Sequence, residues 1–427
     1  MPNTPDPTSP PQTNADSGSA LWHGFADMSV VSRSEFVLTR GEGSRVWDRL
    51  GNEYLDATAG LWFANVGHGR RVIAEAMAEQ AARLAAYSSF GDVVVEPATR
   101  LADEVAALAP IPNARVFFTS GGSDSVDTAI KMIRRWSALT SPDGRGRTGL
   151  AVLTHGYHGM HQGGTALSGI PLNREGNPGL DPDVVQLAHG DLDAAVATLD
   201  ATPGLAAVFA EPVTGAGGVH FAGQDFLTGL RKACAERDIL FVADEVITGF
   251  GRTGAWFASG LLGLDPDLVL CAKGLTSGYS PMGAVLASER IWAPFYAEGA
   301  GVWRHGYTYG GHGVSAAAGL ANLEIMRSEQ LPDHVATHAA TLHDTLRAAT
   351  AQLPVVSEVR TAPGYLAAVQ LADPGRVNEA IAALRTTGVL TRALVGGGLQ
   401  ISPPLTLDTA EIAELGERIA AGLSTLG

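Results

Sequence analysis

The feature that most constrains this chain is a repeated alternation between short apolar segments and longer amphipathic ones. Between residues 70 and 295, five apolar runs alternate with helical patterns: ARVFFT, GLAVLT, LAAVFA, ILFVAD and LVLCA. Such alternation is typical of a mostly parallel sheet that is covered by helices on both faces. We therefore predict an α/β fold built around a sheet of this kind.

The chain is long enough to divide into two domains, because single cores stop growing at about 250–300 residues and this chain has 427. Residues 1–20 are almost free of apolar side chains, which predicts a disordered tail. Alternating apolar residues in 44–57 predict a β-hairpin. We expect residues 21–69, which contain the hairpin, to join a smaller α+β domain formed by 326–427, while 70–325 form the large domain.

The composition argues against several classes of partner. A formal net charge of -15 repels phosphodiester backbones and anionic lipid headgroups, so we expect neither nucleic acid nor a membrane as partner. No apolar run reaches the roughly 20 residues that span a bilayer, and residues 1–19 lack the pattern of a secretory signal. Cys234 and Cys271 are too few for a disulfide framework. These features favour a cytoplasmic protein.

Lysine is rare in this chain, and its rarity draws attention to the lysines that remain. Of the 29 Lys and Arg residues, three are lysines: Lys131, Lys232 and Lys273. Arginine stays protonated and does not form an imine, so a lysine in an arginine-rich background raises the hypothesis of amine chemistry. Lys131 and Lys232 lie in helical patterns among other charged residues, which favours the solvated surface for both.

The residues that follow the predicted strands suit one ligand, because in open parallel sheets the ligand site lies beyond the carboxyl ends of the strands. ARVFFT is followed by SGGS and by a helical pattern over 123–136, with Ser123 as the expected N-cap. Small residues and free N–H groups at a helix N-terminus can bind a phosphate. An ordinary capped glycine turn has the same sequence and stays an alternative.

An amine and a carboxylate beside such a turn match the needs of pyridoxal phosphate, which requires an anion opposite its ring nitrogen and an amine that holds its aldehyde. Asp244 and Lys273 follow two further strands and can supply these groups, and Tyr157 in HGYHG can stack on a flat ring. Alone, each has an ordinary alternative, since a strand-end Asp often caps a helix and a Lys there often extends to solvent. The combination favours the cofactor.

Two other cofactors have some support in the sequence. His155, His158 and His161 raise the alternative of a metal, but glycines separate them and no acidic or thiolate ligand is near in sequence, so we predict no metal. GFGRTG, over residues 249–254, matches GxGxxG and raises the alternative of an NAD-dependent dehydrogenase. A dinucleotide fingerprint lies directly after its strand, whereas here two acidic residues intervene and would repel a pyrophosphate.

Two segments resemble the class III aminotransferases, which are pyridoxal-phosphate enzymes of fold type I. DEVITGFGRTG is similar to the family's segment around the aspartate at the pyridine nitrogen, and LVLCAKGLTSGYSPMGAV is similar to its segment around the Schiff-base lysine. The resemblance implies these two roles for Asp244 and Lys273. It also implies a large domain with a mostly parallel sheet of the seven-stranded type and a smaller α+β domain.

The resemblance implies further contacts by position. Those on the phosphate, on the two ring faces and near the ring substituents are Gly122, Ser123, Tyr157, Val246 and Glu211. Thr308 in HGYTYGGH matches the threonine that reaches the phosphate from the neighbouring subunit. A homodimer with shared active sites follows from that match.

Other segments select a branch of the family. Ala216 replaces the second Glu of the EPxxGEGG pattern of the ornithine and 4-aminobutyrate enzymes, whereas GLWFANVGHGR and GVLTRALVGGGLQISPPL resemble the ω-transaminases that act on amines or β-alanine with pyruvate. By that match Arg392 binds a substrate carboxylate, and the pocket is lined by Phe25, Trp62, Phe90 and Tyr157.

The resemblance therefore implies a ping-pong aminotransferase that moves an amino group from an amine or ω-amino acid to pyruvate or a similar keto acid. An aminomutase or a decarboxylase of the same fold stays the alternative.

Overall fold

The computed structural model describes residues 19–31 and 35–427. The predicted tail over 1–20 therefore lies outside the described residues, except for Ser19 and Ala20. The described part contains a seven-stranded sheet and two smaller sheets, with helices packed around them. None of the described helices combines the length and the apolar character that crossing a membrane requires.

The predicted hairpin in residues 44–57 is present in the N-terminal segment. Its two strands pair antiparallel, with Val46 opposite Tyr54, and both of these side chains are buried. A third strand precedes the hairpin and extends the sheet. The elements of this segment are α1 (Met28–Val31), β1 (Leu38–Glu42), β2 (Arg45–Asp48), β3 (Glu53–Asp56) and α2 (Ala59–Trp62).

The central sheet has seven strands and includes all five predicted apolar runs. Its strands are β4 (Arg115–Thr119), β5 (Gly149–Leu153), β6 (Val184–Leu187), β7 (Leu205–Ala210), β8 (Leu240–Asp244), β9 (Leu268–Cys271) and β10 (Gly283–Ala287). They lie in the order β4-β10-β9-β8-β7-β5-β6. Only β10 runs against its neighbours. The prediction of a mostly parallel sheet is confirmed, while β6 and β10 were not anticipated.

Helices cover both faces of this sheet, which is why its strands are so apolar. Along β5, Leu150 and Val152 face one apolar cluster, and Ala151 and Leu153 face another. All residues of β7, β8, β9 and β10 are buried. The helices of this region are α3 (Arg71–Leu84), α4 (Glu96–Leu108), α5 (Gly122–Thr140), α6 (Gln162–Ala166), α7 (Leu192–Ala201), α8 (Gln224–Glu236), α9 (Ala258–Leu262), α10 (Glu289–Tyr296) and α11 (Gly313–Ser328).

The C-terminal segment forms its own antiparallel sheet and also completes the N-terminal one. Its elements are α12 (Leu331–Thr350), β11 (Val356–Ala362), β12 (Leu366–Leu371), α13 (Val377–Thr386), β13 (Val389–Leu390), β14 (Gly398–Ile401) and α14 (Thr409–Ser424). Strands β11, β12 and β14 pair with one another. Strand β13 instead pairs parallel with β3, with Val389 opposite Leu55. The domain boundaries near residues 70 and 326 stay predictions.

The segment GFGRTG lies at the joint between these parts of the chain. Gly251 has φ +88°, and a Cβ there would lie 2.8 Å from Leu405 Cδ1. The side chain of Arg252 is fully buried and donates from Nη2 to Asn65 Oδ1 at 2.9 Å. The next helix begins only at Ala258. The segment therefore packs against protein where a dinucleotide would require a helix N-terminus and open space.

Candidate active site

A cavity of about 690 Å³ is lined by residues that follow strands of the central sheet and by residues of the N-terminal and C-terminal segments. Most of the predicted cofactor and substrate residues line it: Phe25, Trp62, Gly122, Ser123, Tyr157, Glu211, Asp244, Val246, Lys273 and Arg392. Because β7, β8 and β9 run parallel, the residues that follow them reach the same edge of the sheet. Two predicted residues, Phe90 and Thr308, are absent from this lining.

Lys273 lies two residues beyond β9 in a strained conformation. Its φ is +42°, a left-handed value that costs energy for a residue with a Cβ and is held only by its surroundings. Its Nζ lies 5.1 Å from the centre of the Trp62 ring. Burial lowers the pKa of this amine to about 8, although the negative charges of Asp244 and Glu211 oppose the shift. A lysine with such a pKa is partly neutral near neutral pH and can act as a nucleophile or base.

Asp244 ends β8 and is held by two hydrogen bonds. Its Oδ2 lies 2.7 Å from His158 Nδ1, and its Oδ1 accepts from the Val246 N–H at 3.1 Å. Burial lowers the pKa of His158, but the hydrogen bond and charge of Asp244 raise that pKa by more, to a net value above 6.5. The two hydrogen bonds therefore hold the Asp244 carboxyl group at the cavity in one orientation.

Glu211 follows β7 and fixes the loop that contains Tyr157. Its Oε1 accepts from the Tyr157 N–H at 2.8 Å, and its Oε2 accepts from the Gly215 N–H at 3.0 Å. Burial raises the pKa of Glu211 to about 7, with the charge of Asp244 acting in the same direction. This carboxyl group is therefore close to half-protonated at neutral pH.

The glycine turn that follows β4 leads into α5, a helix of 19 residues. The sequence predicted Ser123 as the N-cap of this helix, and that prediction is wrong. The N-cap is Gly121, with extended backbone, and the helix begins at Gly122. Ser123 Oγ accepts instead from the Met160 N–H at 3.2 Å, which ties the HGYHG loop to the turn. The first N–H groups of α5 lack partners within the helix and can bind an anion.

Two cations of the cavity lie close to the ring of Trp62. The guanidinium carbon of Arg392 lies 5.2 Å from the centre of the Trp62 ring, which the amine of Lys273 also approaches. Arg392 is partly exposed, and among the described residues no carboxylate lies within ion-pair distance of it. Burial lowers its pKa somewhat. Arg392 is therefore free to bind a carboxylate that enters the cavity.

The sequence did not reveal the full lining of the cavity, which includes several further apolar side chains. Helix α13 contributes Ile381, and the loop after Arg392 contributes Val395. The other lining residues found only in the structure are Gly24, Leu61, Val126, His158, Gly159, Ile170, Asn173, Ile247, Asn378 and Ala393. His158 could have been suspected, because it follows a strand that lies near the strand of Asp244.

Phe90 and Thr308 lie elsewhere within the chain. Phe90 lines a second cavity of about 800 Å³, beside His305 and Tyr307, and the side chain of Phe90 is 56% exposed. Thr308 is exposed and directly follows Tyr307. Phe90 is therefore outside the lining of the first cavity within a single chain, and its role in the pocket stays a prediction.

The three histidines of the HGYHG region do not converge. His158 pairs with Asp244, His161 lies 2.7 Å from Asp124 Oδ1, and the ring of His155 lies 5.1 Å from that of His220. Among the residues that the structure describes, no group of three or more potential ligands is arranged to hold a metal ion.

The lining of the first cavity fits pyridoxal phosphate in its donor set and shape. An amine, an oriented carboxylate and a helix N-terminus surround one space. A Cβ on Gly122 would lie 3.0 Å from Val246 Cγ1, so the absence of a side chain at Gly122 lets Val246 approach the turn closely. Tyr157 supplies an aromatic group in the same lining.

Comparisons with known proteins agree with this fit. A model of the family described as aminotransferase class-III matches residues 28–423. The chain is 36% identical, over 89% of its length and 88% of the relative's, to a putrescine–pyruvate aminotransferase of Pseudomonas aeruginosa. It is 36% identical, over 96% and 98%, to an omega-aminotransferase of Caulobacter vibrioides.

Solved structures give the same result. The fold superposes with a TM-score of 0.90 on an amine transaminase from an uncultivated Pseudomonas species, whose crystal structure is of the PLP-bound form. The two are 33% identical, and the match covers 97% of this chain and 100% of that one.

Proposed function

The chain belongs to the class III aminotransferases, and on this basis we propose that it moves an amino group from an amine or ω-amino acid to pyruvate or a similar keto acid. It is a pyridoxal-phosphate-dependent transaminase of fold type I. The observation that supports the proposal best is the single cavity lined by Lys273, Asp244 and the N-terminus of α5.

The chemistry that pyridoxal phosphate supplies when bound is an aldehyde that captures amines and a ring that accepts the electron pair left by a departing proton. Lys273 Nζ would hold the cofactor through this aldehyde, and an incoming substrate amine would take its place there. The freed Nζ, whose pKa is lowered to about 8, would move the proton from the substrate carbon to the cofactor carbon that had carried the aldehyde, and would make the reverse transfer in the second half of the cycle. Asp244 keeps a proton on the ring nitrogen, because its carboxylate is oriented by His158.

Other residues of the cavity hold the cofactor in place. The N–H groups of Gly122 and Ser123 bind the phosphate at the positive end of α5. Tyr157 covers one ring face and Val246 the other. Glu211 lies near the ring substituents and keeps Tyr157 in position through its backbone N–H.

Arg392 binds the carboxylate of the keto acid. Its guanidinium stacks on Trp62 and has no competing carboxylate among the described residues, so a bidentate contact with an incoming carboxylate is available. The apolar part of the lining, which includes Phe25, accommodates the side chain of an amine that lacks a carboxylate. One cavity can thus take both substrates of a ping-pong cycle in turn.

We also propose a homodimer with shared active sites. Phe90 and Thr308 are both exposed and lie outside their own chain's first cavity, and Phe90 contacts Gly306, two residues before Thr308. A second copy of the chain can bring this surface to the first cavity, where Thr308 contacts the phosphate and Phe90 adds to the pocket. Within each copy, residues 70–325 form the large domain, while 21–69 and 326–427 form the small one, as the pairing of β3 with β13 supports.

Reduction with borohydride tests the role of Lys273. We expect the purified protein to absorb as a cofactor-bound enzyme, and borohydride to fix the cofactor on the peptide that contains Lys273. Because the chain has only three lysines, Lys131→Arg and Lys232→Arg are matched controls that keep the adduct, whereas Lys273→Arg loses it. A second assay measures alanine formed from pyruvate with 1-phenylethylamine or β-alanine. Absence of the adduct and of alanine would contradict the proposal.

Complementation between two inactive variants tests the shared sites. A Lys273→Ala chain and a Thr308→Asp chain are each expected to be inactive, since one lacks the amine and the other places a negative charge at the phosphate. If Thr308 acts in the neighbouring site, each mixed dimer contains one intact site, and activity returns on mixing and refolding. If both residues act within one chain, each mixed dimer keeps two impaired sites and no activity returns.

A further inference from the structure

The backbone around Lys273 is enclosed by a second set of residues. A Cβ on Gly274 would lie 2.4 Å from Asn65 Nδ2 and 3.0 Å from Phe250 Cβ. On the other side, Asn322 Nδ2 donates to the Gly274 carbonyl at 2.9 Å. Gly274, the residue after Lys273, is thus closely packed on both sides. Lys273 has a left-handed backbone, and a strained conformation of this kind persists only where its surroundings hold it.

Asn65 is itself fixed at both ends of its side chain. Its Nδ2 donates to the Phe250 carbonyl at 2.7 Å, and its Oδ1 accepts from Arg252 Nη2 at 2.9 Å. The side chain is 1% exposed. Its backbone carbonyl accepts from the Leu405 N–H at 2.9 Å. Asn65 therefore holds its position only as long as Arg252 and the segment around Leu405 hold theirs.

Arg252 is an unusual anchor, because its guanidinium is fully buried and its two terminal nitrogens donate to neutral oxygens. It donates to Asn65 Oδ1 and to the Pro403 carbonyl. Among the described residues no carboxylate lies within ion-pair distance of it, although buried arginines are generally paired. Burial lowers its pKa to about 9, while the charges of Asp56 and Tyr365 act in the other direction.

We propose that Arg252 and Asn65 are positioning residues for Lys273: together they form a clamp that fixes its strained backbone and ties the loop of Trp62 to it. The inference rests on the proposed role of Lys273 in the reaction. Trp62 lies three residues before Asn65, and its ring contacts the Lys273 amine. A displacement of Asn65 therefore moves the amine and the aromatic face beside it together, whereas substrate-binding groups such as Arg392 stay on another segment.

Two clamp variants and a matched control test this proposal in the holoenzyme. Asn65→Ala removes the contact with Gly274 and keeps the charge of Arg252. Arg252→Lys keeps a positive charge and loses the planar fork. The matched control is Gln80→Ala, which removes the hydrogen bond from Nε2 of the buried Gln80 side chain to the Leu84 carbonyl in α3, a helix that contributes no residue to the lining of the first cavity.

We expect kcat to fall about 10- to 100-fold in both clamp variants, since a catalytic group displaced by about 1 Å loses rate on this scale. The KM values for amine and keto acid should change by a smaller factor than kcat does, because Arg392 lies on another segment and only the Trp62 ring beside it is displaced. Gln80→Ala should keep a kcat close to that of the unaltered enzyme. Thermal unfolding of all three variants separates loss of folded protein from loss of rate.

A second readout does not depend on activity. Acetic anhydride labels neutral lysines, and mass spectrometry can follow Lys273 against Lys131 and Lys232 as pH changes in the cofactor-free protein. Burial is the largest cause of the lowered pKa of Lys273. A loosened clamp admits water, so the labelling midpoint should rise from about 8 towards the ordinary value of 10.5.

The outcomes separate the clamp from the proposed function. Clamp variants whose kcat and labelling midpoint match those of Gln80→Ala would overturn the clamp. If Asn65→Ala does not fold, Arg252→Lys decides by the same measures. If the unaltered protein gives no borohydride adduct at Lys273, the proposed function fails, while the labelling midpoints still support or overturn the clamp.

Discussion

Replacing Gly122 by alanine tests how closely the phosphate turn packs against Val246. A Cβ at this position would lie 3.0 Å from Val246 Cγ1 and 3.2 Å from Cγ2, whereas carbon atoms prefer separations of about 3.5–4.0 Å. Val246 is the residue proposed to press on the cofactor ring, so it cannot retreat without changing that contact. Overpacking of this kind typically costs about 1–3 kcal/mol.

That cost corresponds to a cofactor Kd that is roughly 5- to 150-fold weaker. The assay is titration of the cofactor-free protein with pyridoxal phosphate, followed by absorbance. Gly121→Ala is the matched control, because a Cβ on Gly121 would meet nothing within 4 Å and its extended backbone, with φ 174°, suits alanine. We expect Gly121→Ala to change Kd much less than Gly122→Ala does.

A double-variant cycle isolates the clash from other effects. In a Val246→Ala background the offending Cγ atoms are gone, so adding Gly122→Ala should weaken binding little further. If Gly122→Ala weakens binding equally in both backgrounds, or if Gly121→Ala has the same effect, the packing argument is refuted.

Two further predictions concern charged groups of the same cavity. The pKa of Glu211 is raised from 4.5 to about 7 in the folded protein, so the folded state binds an extra proton between these values and loses stability as pH rises through them. Between pH 4.5 and about 7, the Tm of the cofactor-free protein should therefore fall less in Glu211→Gln than in the unaltered protein. An equal fall in both proteins would contradict the raised pKa of Glu211. Arg392→Gln should raise the KM for pyruvate roughly 10- to 150-fold. This factor corresponds to about 1.5–3 kcal/mol, the usual contribution of a hydrogen bond to a charged group. The KM for 1-phenylethylamine should stay nearly constant, and an equal rise for both substrates would contradict a carboxylate contact.

The central sheet was largely predictable because buried parallel strands read as continuous apolar runs. Of the two strands that the sequence did not reveal, β6 lacks this signal. Strand β6 lies at the edge of the sheet and is only partly buried. Strand β10 is a buried apolar run of five residues, but it follows a stretch rich in Gly and Ser and runs against its neighbours.

The site was predictable where it depends on topology and unpredictable where it depends on long-range packing. Asp244 and Lys273 follow parallel strands, and they do line one cavity, while their roles stay predictions. Ser123 failed as an N-cap because its Oγ bonds to Met160, a contact from a distant loop. Contacts between distant segments, such as that of Arg252 with Asn65, leave no local pattern. The same holds for the surface on which Phe90 and Thr308 lie.

The pairing of β3 with β13 has a consequence for biosynthesis. Leu55 emerges early from the ribosome, but its partner Val389 is made only near the end of translation. Arg392 lies three residues after Val389 and is therefore also made near the end of translation. Because contacts so distant in sequence form late in folding, we expect a nascent chain to expose the hairpin edge and the unfinished cavity until synthesis is almost complete. A chaperone that shields this edge would then act before the cofactor can be captured.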